Sequence, residues 1–402
     1  MNAMPPDFAN TQQAFSHLSD AELRKATWLF RMVGRAGWVR VGKVLLGWAQ
    51  ALRIPVGWAL KPTIYAHFCG GESIAEADRT VARLAARGVK TILDYSAEGK
   101  EEEAELDAAR DEVKAAIRAA SGDARHGFSV FKVSGVASSQ LLERVSAGGA
   151  LSTTDRLAWE RAQQRVADLC GAAAEGGVRI FIDAEESWLQ PAIDALAEDQ
   201  MAQLNRGRTV VFTTVQLYRH DRLAYLQGLT ARAQDEGFQV GVKLVRGAYM
   251  EKERARAAAA GLPSPIQPDK AATDRDYDAA CDWCLAHMEH VAFCSGSHNE
   301  ESQLRVCEGM AAAGLAPGDE RVWFAQLLGM SDPISFNLAA LGYNVAKYVP
   351  YGPMHEAIPY LIRRAEENTS VAGQTSRELD RLRTELRRRA QTRGSVQSAA
   401  RS

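Results

Sequence analysis

The 402-residue chain is short of several things that would have assigned it quickly. Six cysteines in a chain of this length are too few for a disulfide framework. No Gly-x-Gly-x-x-Gly follows the first candidate strand and no P-loop occurs anywhere, which excludes a Rossmann dinucleotide site and a triphosphate cradle. There is no Gly-x-Ser-x-Gly elbow and no His and carboxylate cluster with metal spacing. Net charge is only −2, so nucleic acid is not expected as a partner. Residues 1–30 lack a basic start followed by an apolar run, and Asp7, Asp20 and Glu22 interrupt them. Neither a secretory nor a transit peptide is expected, and the expected location is cytoplasmic. The most apolar stretch, 44–60, contains Arg53 and adjoins Arg40 and Lys43, so it falls short of the roughly 18 apolar residues a membrane span needs. Cys281, Cys284, His287 and His290 have metal-ligand types at threefold spacing. On a helix, steps of three drift by about 60° each, so the outer two would face opposite ways; packing is the expected role and no metal is expected.

What is present is an alternation. After residue 72, short β-branched or aromatic runs recur near 91–95, 128–133, 178–183, 209–215, 239–245, 291–295, 321–327 and 344–349. Alanine-rich amphipathic stretches such as 101–120 and 155–174 lie between them. Such alternation predicts an α/β fold with a parallel sheet, and eight repeats fit a (β/α)8 TIM-like barrel. The expected organisation is an N-terminal helical arm over 1–70, the barrel over 71–375, and a C-terminal helix with a basic tail over 376–402. Residues 1–20 read as poorly ordered. Thr375-Ser-Arg-Glu378 matches a capping box, predicting a helix over 376–390 and a disordered tail after it. From Arg377 to Arg401 eight arginines face three acids, a solvated helix face or a contact for an anionic membrane.

Barrel enzymes keep their chemistry at the C-terminal ends of the strands. Here those ends are polar: Asp94 and Glu98, Lys132, Asp183 with Glu185, Gln216, Lys243 with Arg246, His298-Asn299, Gln326, and Lys347-Tyr348. Beyond the eighth strand, Tyr360, Arg363, Arg364 and Glu367 fall at i, i+3, i+4 and i+7, one helix face. An arginine fork matches a carboxylate or phosphate bidentately. Alone, that run also reads as a solvated stripe; over a charged barrel mouth it points to a small anionic ligand, a phosphate-bearing cofactor, or both.

At these residues the chain resembles the proline dehydrogenase family, of the monofunctional kind. The likeness is carried by His67-Phe-Cys-Gly-Gly-Glu72, Lys243-Leu-Val-Arg-Gly-Ala-Tyr249, Phe324-Ala-Gln-Leu-Leu-Gly-Met330, Lys347-Tyr-Val-Pro-Tyr-Gly-Pro353, Tyr360-Leu-Ile-Arg-Arg364 and Glu367-Asn-Thr-Ser370. The resemblance implies a distorted barrel whose last helix crosses the strand ends and which holds FAD without a Rossmann fold. It implies oxidation of L-proline to 1-pyrroline-5-carboxylate, the first step of proline catabolism. Electrons would pass to a membrane quinone, the product to a separate pyrroline-5-carboxylate dehydrogenase, and the chain would touch the membrane peripherally through 44–60 or the C-terminal helix. Carried over by motif, Arg363 and Arg364 grip the carboxylate, and Tyr360, Tyr249 and Leu327 pack on the ring. Tyr348 stacks at its far side, Lys132 and Asp183 lie near flavin and amine, and Glu98 pairs with Arg363 to close the site. The implied flavin contacts are Asp183, Ala184, Gln216, Lys243, Val245, Gly247, Ala248, Lys270, His298, Asn299, Arg364, Glu367 and Ser370. The stretch Asp269–Thr273 resembles the loop that meets pyrophosphate and adenosine. Gln326 sits one place later than the glutamine of some relatives, so the resemblance does not carry a flavin contact over to it. The alternatives are a hydroxyproline dehydrogenase, against which Tyr348 argues by crowding a 4-hydroxyl, and a non-catalytic barrel.

Overall fold

The computed structural model describes residues 5–33, 60–95, 99–370 and 374–399. Eight parallel strands close into a barrel in sequence order: β1 (Lys90–Tyr95), β2 (His126–Lys132), β3 (Arg179–Asp183), β4 (Val211–Gln216), β5 (Val240–Val245), β6 (Val291–Gly296), β7 (Val322–Leu327) and β8 (Val345–Tyr351). The seam is β1 against β8, with Ile92 opposite Tyr348. All eight predicted strands are present, with no end shifted by more than two residues.

Alternation along each strand sends one set of side chains into the barrel and the other against the helices. The interior is aromatic at its floor. Phe128 stacks on Phe181 at 4.1 Å, and Trp323 meets Phe128 edge-on at 5.1 Å. Such a plug leaves room for a ligand only at the strand ends. Gly241 is a position that sterics dictate, since a Cβ there would overlap the Val211 carbonyl of β4. The outer shell is aliphatic. In the helix Glu103–Ala120, Leu106, Val113 and Ile117 face the barrel while charged residues face out. Ser152 starts the helix Thr153–Glu175 by accepting from the Asp155 amide at 3.0 Å.

Two terminal expectations are corrected. Residues 5–18 are ordered: Phe8, Ala14 and Phe15 are buried, and Asn10 caps the turn Thr11–Ala14. Scattered apolar anchors hold this polar segment. Ala14, Phe15, Leu23, Ala26 and Phe30 form one cluster with Leu382 of the last helix; burying one such side chain contributes about 1.5–3 kcal/mol. That helix runs Gln374–Ala399, so the expected tail is helical almost to its end and Thr375 lies inside the helix rather than at its cap. Among the described residues no helix is long and apolar enough to cross a membrane. The expected arm over 44–60, Leu60 apart, lies outside the described residues, as does Glu98.

Candidate active site

At the mouth, β2, β3, β5 and β8 bring four polar side chains together. The Lys243 ammonium donates to Asp183 Oδ1 and to the Tyr348 hydroxyl. Tyr348 in turn donates to Asp183 Oδ1 at 3.2 Å, and Lys132 Nζ lies 3.5 Å from Asp183 Oδ2. The carboxylate is thus shared by two cations and a phenol. Burial pushes the Asp183 carboxyl up, but Lys243 and Lys132 outweigh it and hold it below the ordinary 3.8. Burial, reinforced by Asp183, raises the Tyr348 phenol well above its ordinary range, so it stays a neutral donor. The Lys243 charge also lies over the Tyr348 ring at 4.5 Å and the Phe181 ring at 4.8 Å.

After β8 comes the helix Met354–Ser370, whose Ala357, Tyr360 and Leu361 pack with Met330 and with Leu327 at the end of β7. Tyr360 and Arg364, one turn apart, are both buried, with the guanidinium 5.0 Å from the ring. Arg363 is partly buried beside them. Tyr360 shares a cluster with Met330 and with Leu29 of the N-terminal helix Asp20–Val33, and Leu327 packs both there and against the barrel interior beside Tyr348. Leu327 therefore links the cluster of Tyr348 to the cluster of Tyr360. Tyr249 is buried and begins the helix Met250–Ala260. The side chains of Glu367 and Ser370 lie outside the described residues.

On the other side of the mouth, the buried Gln216 amide donates to the Glu185 carbonyl at 2.8 Å, fixing the turn after β3 that contains Ala184. Val245 is partly buried, and Gly247 and Ala248 are exposed on the loop after β5. Gly247 has φ +137°, and a Cβ there would overlap the Tyr218 ring, so this backbone stays bare and open to a flat ligand. His298 Nδ1 is 2.9 Å from Ser331 Oγ. Burial, reinforced by Lys347, Arg364 and Arg246, pushes its imidazole down to about 3, so it is neutral at physiological pH. Asn299 caps the helix Glu300–Ala312, accepting from Glu301 at 2.9 Å. Lys270 is exposed and bonds Asp274, at the start of the helix Lys270–Ala286, whose cap is Asp269. This side of the mouth thus presents Gln216, His298, Asn299 and Lys270 beside an exposed glycine loop.

Three polar strand ends do not face the mouth. Arg246 spends its guanidinium on Asp274 at 2.7 Å, Ser297 at 2.7 Å and Ser302 at 3.0 Å. Gln326 and Lys347 alternate with the inward Ala325, Ala346 and Tyr348 and so point outward. Gln326 donates to the Ser297 carbonyl at 3.2 Å and accepts from Ser335 at 2.7 Å. Cys281 and Cys284 are buried core residues, and His287 stacks on Trp283 at 4.0 Å past the helix end.

Two buried carboxyls were not foreseen as special. Burial pushes Glu185 up to about 7 against the opposing bonds from Ser134, and burial with Asp332 nearby pushes Glu378 up to about 8. Both keep their proton while an unfolded chain releases it near 4.5. The folded state then binds more protons, so stability falls as pH rises from about 4.5 to about 7 or 8. Glu378→Gln, which keeps the neutral shape, should flatten the decline of Tm over that window; an unaltered slope in thermal melts would refute the assignment.

A sequence model described as "Proline dehydrogenase" matches residues 77–377, more than half of the chain. The chain is 35% identical over 322 residues to the carbapenem antibiotics biosynthesis protein CarD of Pectobacterium carotovorum, covering 80% of this chain and 83% of that protein. It is 43% identical over 241 residues to human mitochondrial proline dehydrogenase 1, covering 59% of this chain but only 40% of the relative. Among solved structures, proline utilization A from Bdellovibrio bacteriovorus, inactivated by N-propargylglycine, superposes with a TM-score of 0.70 at 19% identity. That superposition covers 91% of this chain and 38% of the other, and it speaks to the fold.

Proposed function

The chain belongs to the proline dehydrogenase family, and from that premise we propose that it oxidises L-proline at the barrel mouth with FAD as its cofactor. What supports this reading is the pairing of Arg363 and Arg364 on the helix after β8, which packs through Tyr360 on Leu327, while Leu327 also packs in the barrel-interior cluster that holds Tyr348, the partner of Asp183 and Lys243. A carboxylate is met from above by a guanidinium fork, and an amine from below by a carboxylate and a phenol. Arg363 and Arg364 hold the substrate carboxylate, while Tyr360, Leu327 and Tyr249 bound the ring and exclude water from it. Asp183, kept ionised by its two lysines, would accept a hydrogen bond from the substrate amine. Lys132, Lys243, Gln216, His298 and the bare loop Gly247-Ala248 would hold the flavin, with Val245, Lys270 and Asn299 along it. A bound flavin supplies the hydride acceptor; the protein supplies position and charge. A quinone as the electron acceptor, a separate dehydrogenase for the pyrroline-5-carboxylate product, and a peripheral membrane contact complete the proposal.

The test is direct. The purified protein should carry a yellow chromophore that L-proline bleaches without oxygen and a quinone analogue restores; a chromophore that proline leaves intact would sink the reading. Substrate choice has its own expected result. Tyr348 borders the space above Phe181, stacked at 6.3 Å, and crowds a 4-hydroxyl. Tyr348→Ser should lower kcat/KM for proline and raise it for 4-hydroxyproline relative to proline by about tenfold. A wild type that already prefers hydroxyproline contradicts this.

A further inference from the structure

The turn between β7 and the helix Asp332–Ala340 carries two groups that border the site, Leu327 and Ser331. Ser331 is the non-glycine residue with positive φ, 51°, among those described. Such a conformation persists where the surroundings over-determine it. The surroundings here are unusual. Lys347, outward on β8 and with its side chain 0% exposed, donates to the Leu327 carbonyl at 3.3 Å, the Met330 carbonyl and Asp332 Oδ1 at 2.8 Å. An ammonium has three donors, and all three go to this one turn. The other oxygen of Asp332 faces His17 Nε2 at 3.2 Å. His17 lies flat on Phe336 of the same helix, ring centroids 4.0 Å apart. Gln13 donates to the Phe336 carbonyl at 3.4 Å and Asn337 to the Asn10 carbonyl at 3.3 Å. His17 stands sixty residues ahead of the first position that the family model matches, residue 77.

We propose that His17 is a positioning residue for the substrate pocket: through Asp332 and Lys347 it fixes the turn Leu327–Ser331, and with it Leu327 against the substrate ring. The N-terminal segment thereby belongs to the working part of the enzyme. This rests on the mouth being a proline site, and the experiment separates the two. In the full chain loaded with flavin, His17→Ala, His17→Gln and Leu169→Ala are compared; Leu169 is buried on the helix Thr153–Glu175, so its replacement by Ala should lower the melting temperature without touching the turn. KM and kcat for L-proline are measured, together with hydrogen exchange at the Leu328 and Met330 amides, which bond Tyr348 and Leu327. His17→Ala should raise KM about tenfold with kcat within about twofold and speed exchange at both amides. His17→Gln, which keeps an N–H for Asp332, should recover most of both. Leu169→Ala should change neither. An unchanged KM in His17→Ala, an equal rise in Leu169→Ala, or no recovery in His17→Gln overturns the proposal. If even the wild type leaves proline untouched, exchange decides alone: faster exchange in His17→Ala only upholds the positioning role while the proline reading falls, and unchanged exchange ends both.

Discussion

Replacing Arg364 with methionine is expected to raise the KM for L-proline by about two orders of magnitude or more, with a smaller effect on kcat. Methionine keeps the length and apolar stem but removes the fork. The guanidinium is buried, 6% exposed, and its plane lies by the Tyr360 ring, so little water is at hand to replace it. A substrate carboxylate brought there without its partner remains desolvated and uncompensated. Losing a charge-assisted bond in such a place costs about 2–4 kcal/mol, and each 1.4 kcal/mol is about tenfold in affinity. Arg363, less buried, should show the same direction with a smaller rise. Arg364→Lys should fall between, because a point charge keeps the attraction and loses the bidentate geometry. Steady-state kinetics with proline decide this, and an unchanged kcat/KM in Arg364→Met removes the carboxylate role.

Asp183→Ala is expected to be the most damaging single change at the mouth for stability. It leaves the ammonium groups of Lys132 and Lys243 facing each other in a half-dry space, with Tyr348 unable to neutralise either. Breaking a buried pair by removing one partner costs about 3–5 kcal/mol, more than the pair itself contributes. A second change, Lys243→Met, should therefore restore part of the lost melting temperature, since each replacement removes what strands the other. Additive losses in the double variant would contradict the coupling. The pH sign is fixed by the lowered Asp183 carboxyl. Its contribution is complete above the ordinary 3.8 and is lost only as pH falls through the lower folded value, so the wild-type advantage over Asp183→Ala should shrink in acid and not in base.

The barrel was legible because buried parallel strands demand continuous β-branched and aromatic runs, and Thr-Ile-Leu-Asp-Tyr or Val-Arg-Ile-Phe-Ile-Asp can hardly be anything else. The candidate site was legible in outline because many of these runs end in charged or polar residues, although such a residue can equally brace the barrel wall, as Lys347 and Arg246 do. Which charges face the mouth was less legible. A strand's last residue turns in or out with a single step of register, and Gln326 and Lys347 turned out. Lys347 is adjacent to Tyr348 in sequence, yet the two side chains serve opposite sides of the barrel wall. The order of residues 5–18 could not be read, because its anchors Phe8 and Phe15 show no periodicity and several of its partners lie over three hundred residues away. Nothing local announces a contact of that span. The positive φ of Ser331 is likewise a property of the assembled turn and not of serine.

The clasp between the chain's two ends bears on how the molecule comes into being. Thr11 bonds Glu385 across a separation of 374 residues, and Arg389 reaches the Phe15 and Leu18 carbonyls and Asp20. Contacts this remote close a loop whose entropy must be lost before any of them repays it. During synthesis the emerging chain thus carries Phe15, Leu23 and Phe30 without one of their neighbours while all eight strands are being made, because Leu382 is translated after the last strand. The barrel can reach its own register first; the turn that borders the pocket gains its His17 brace only when the N-terminal segment docks. Activity should consequently lag behind barrel formation in refolding, appearing with the slowest phase.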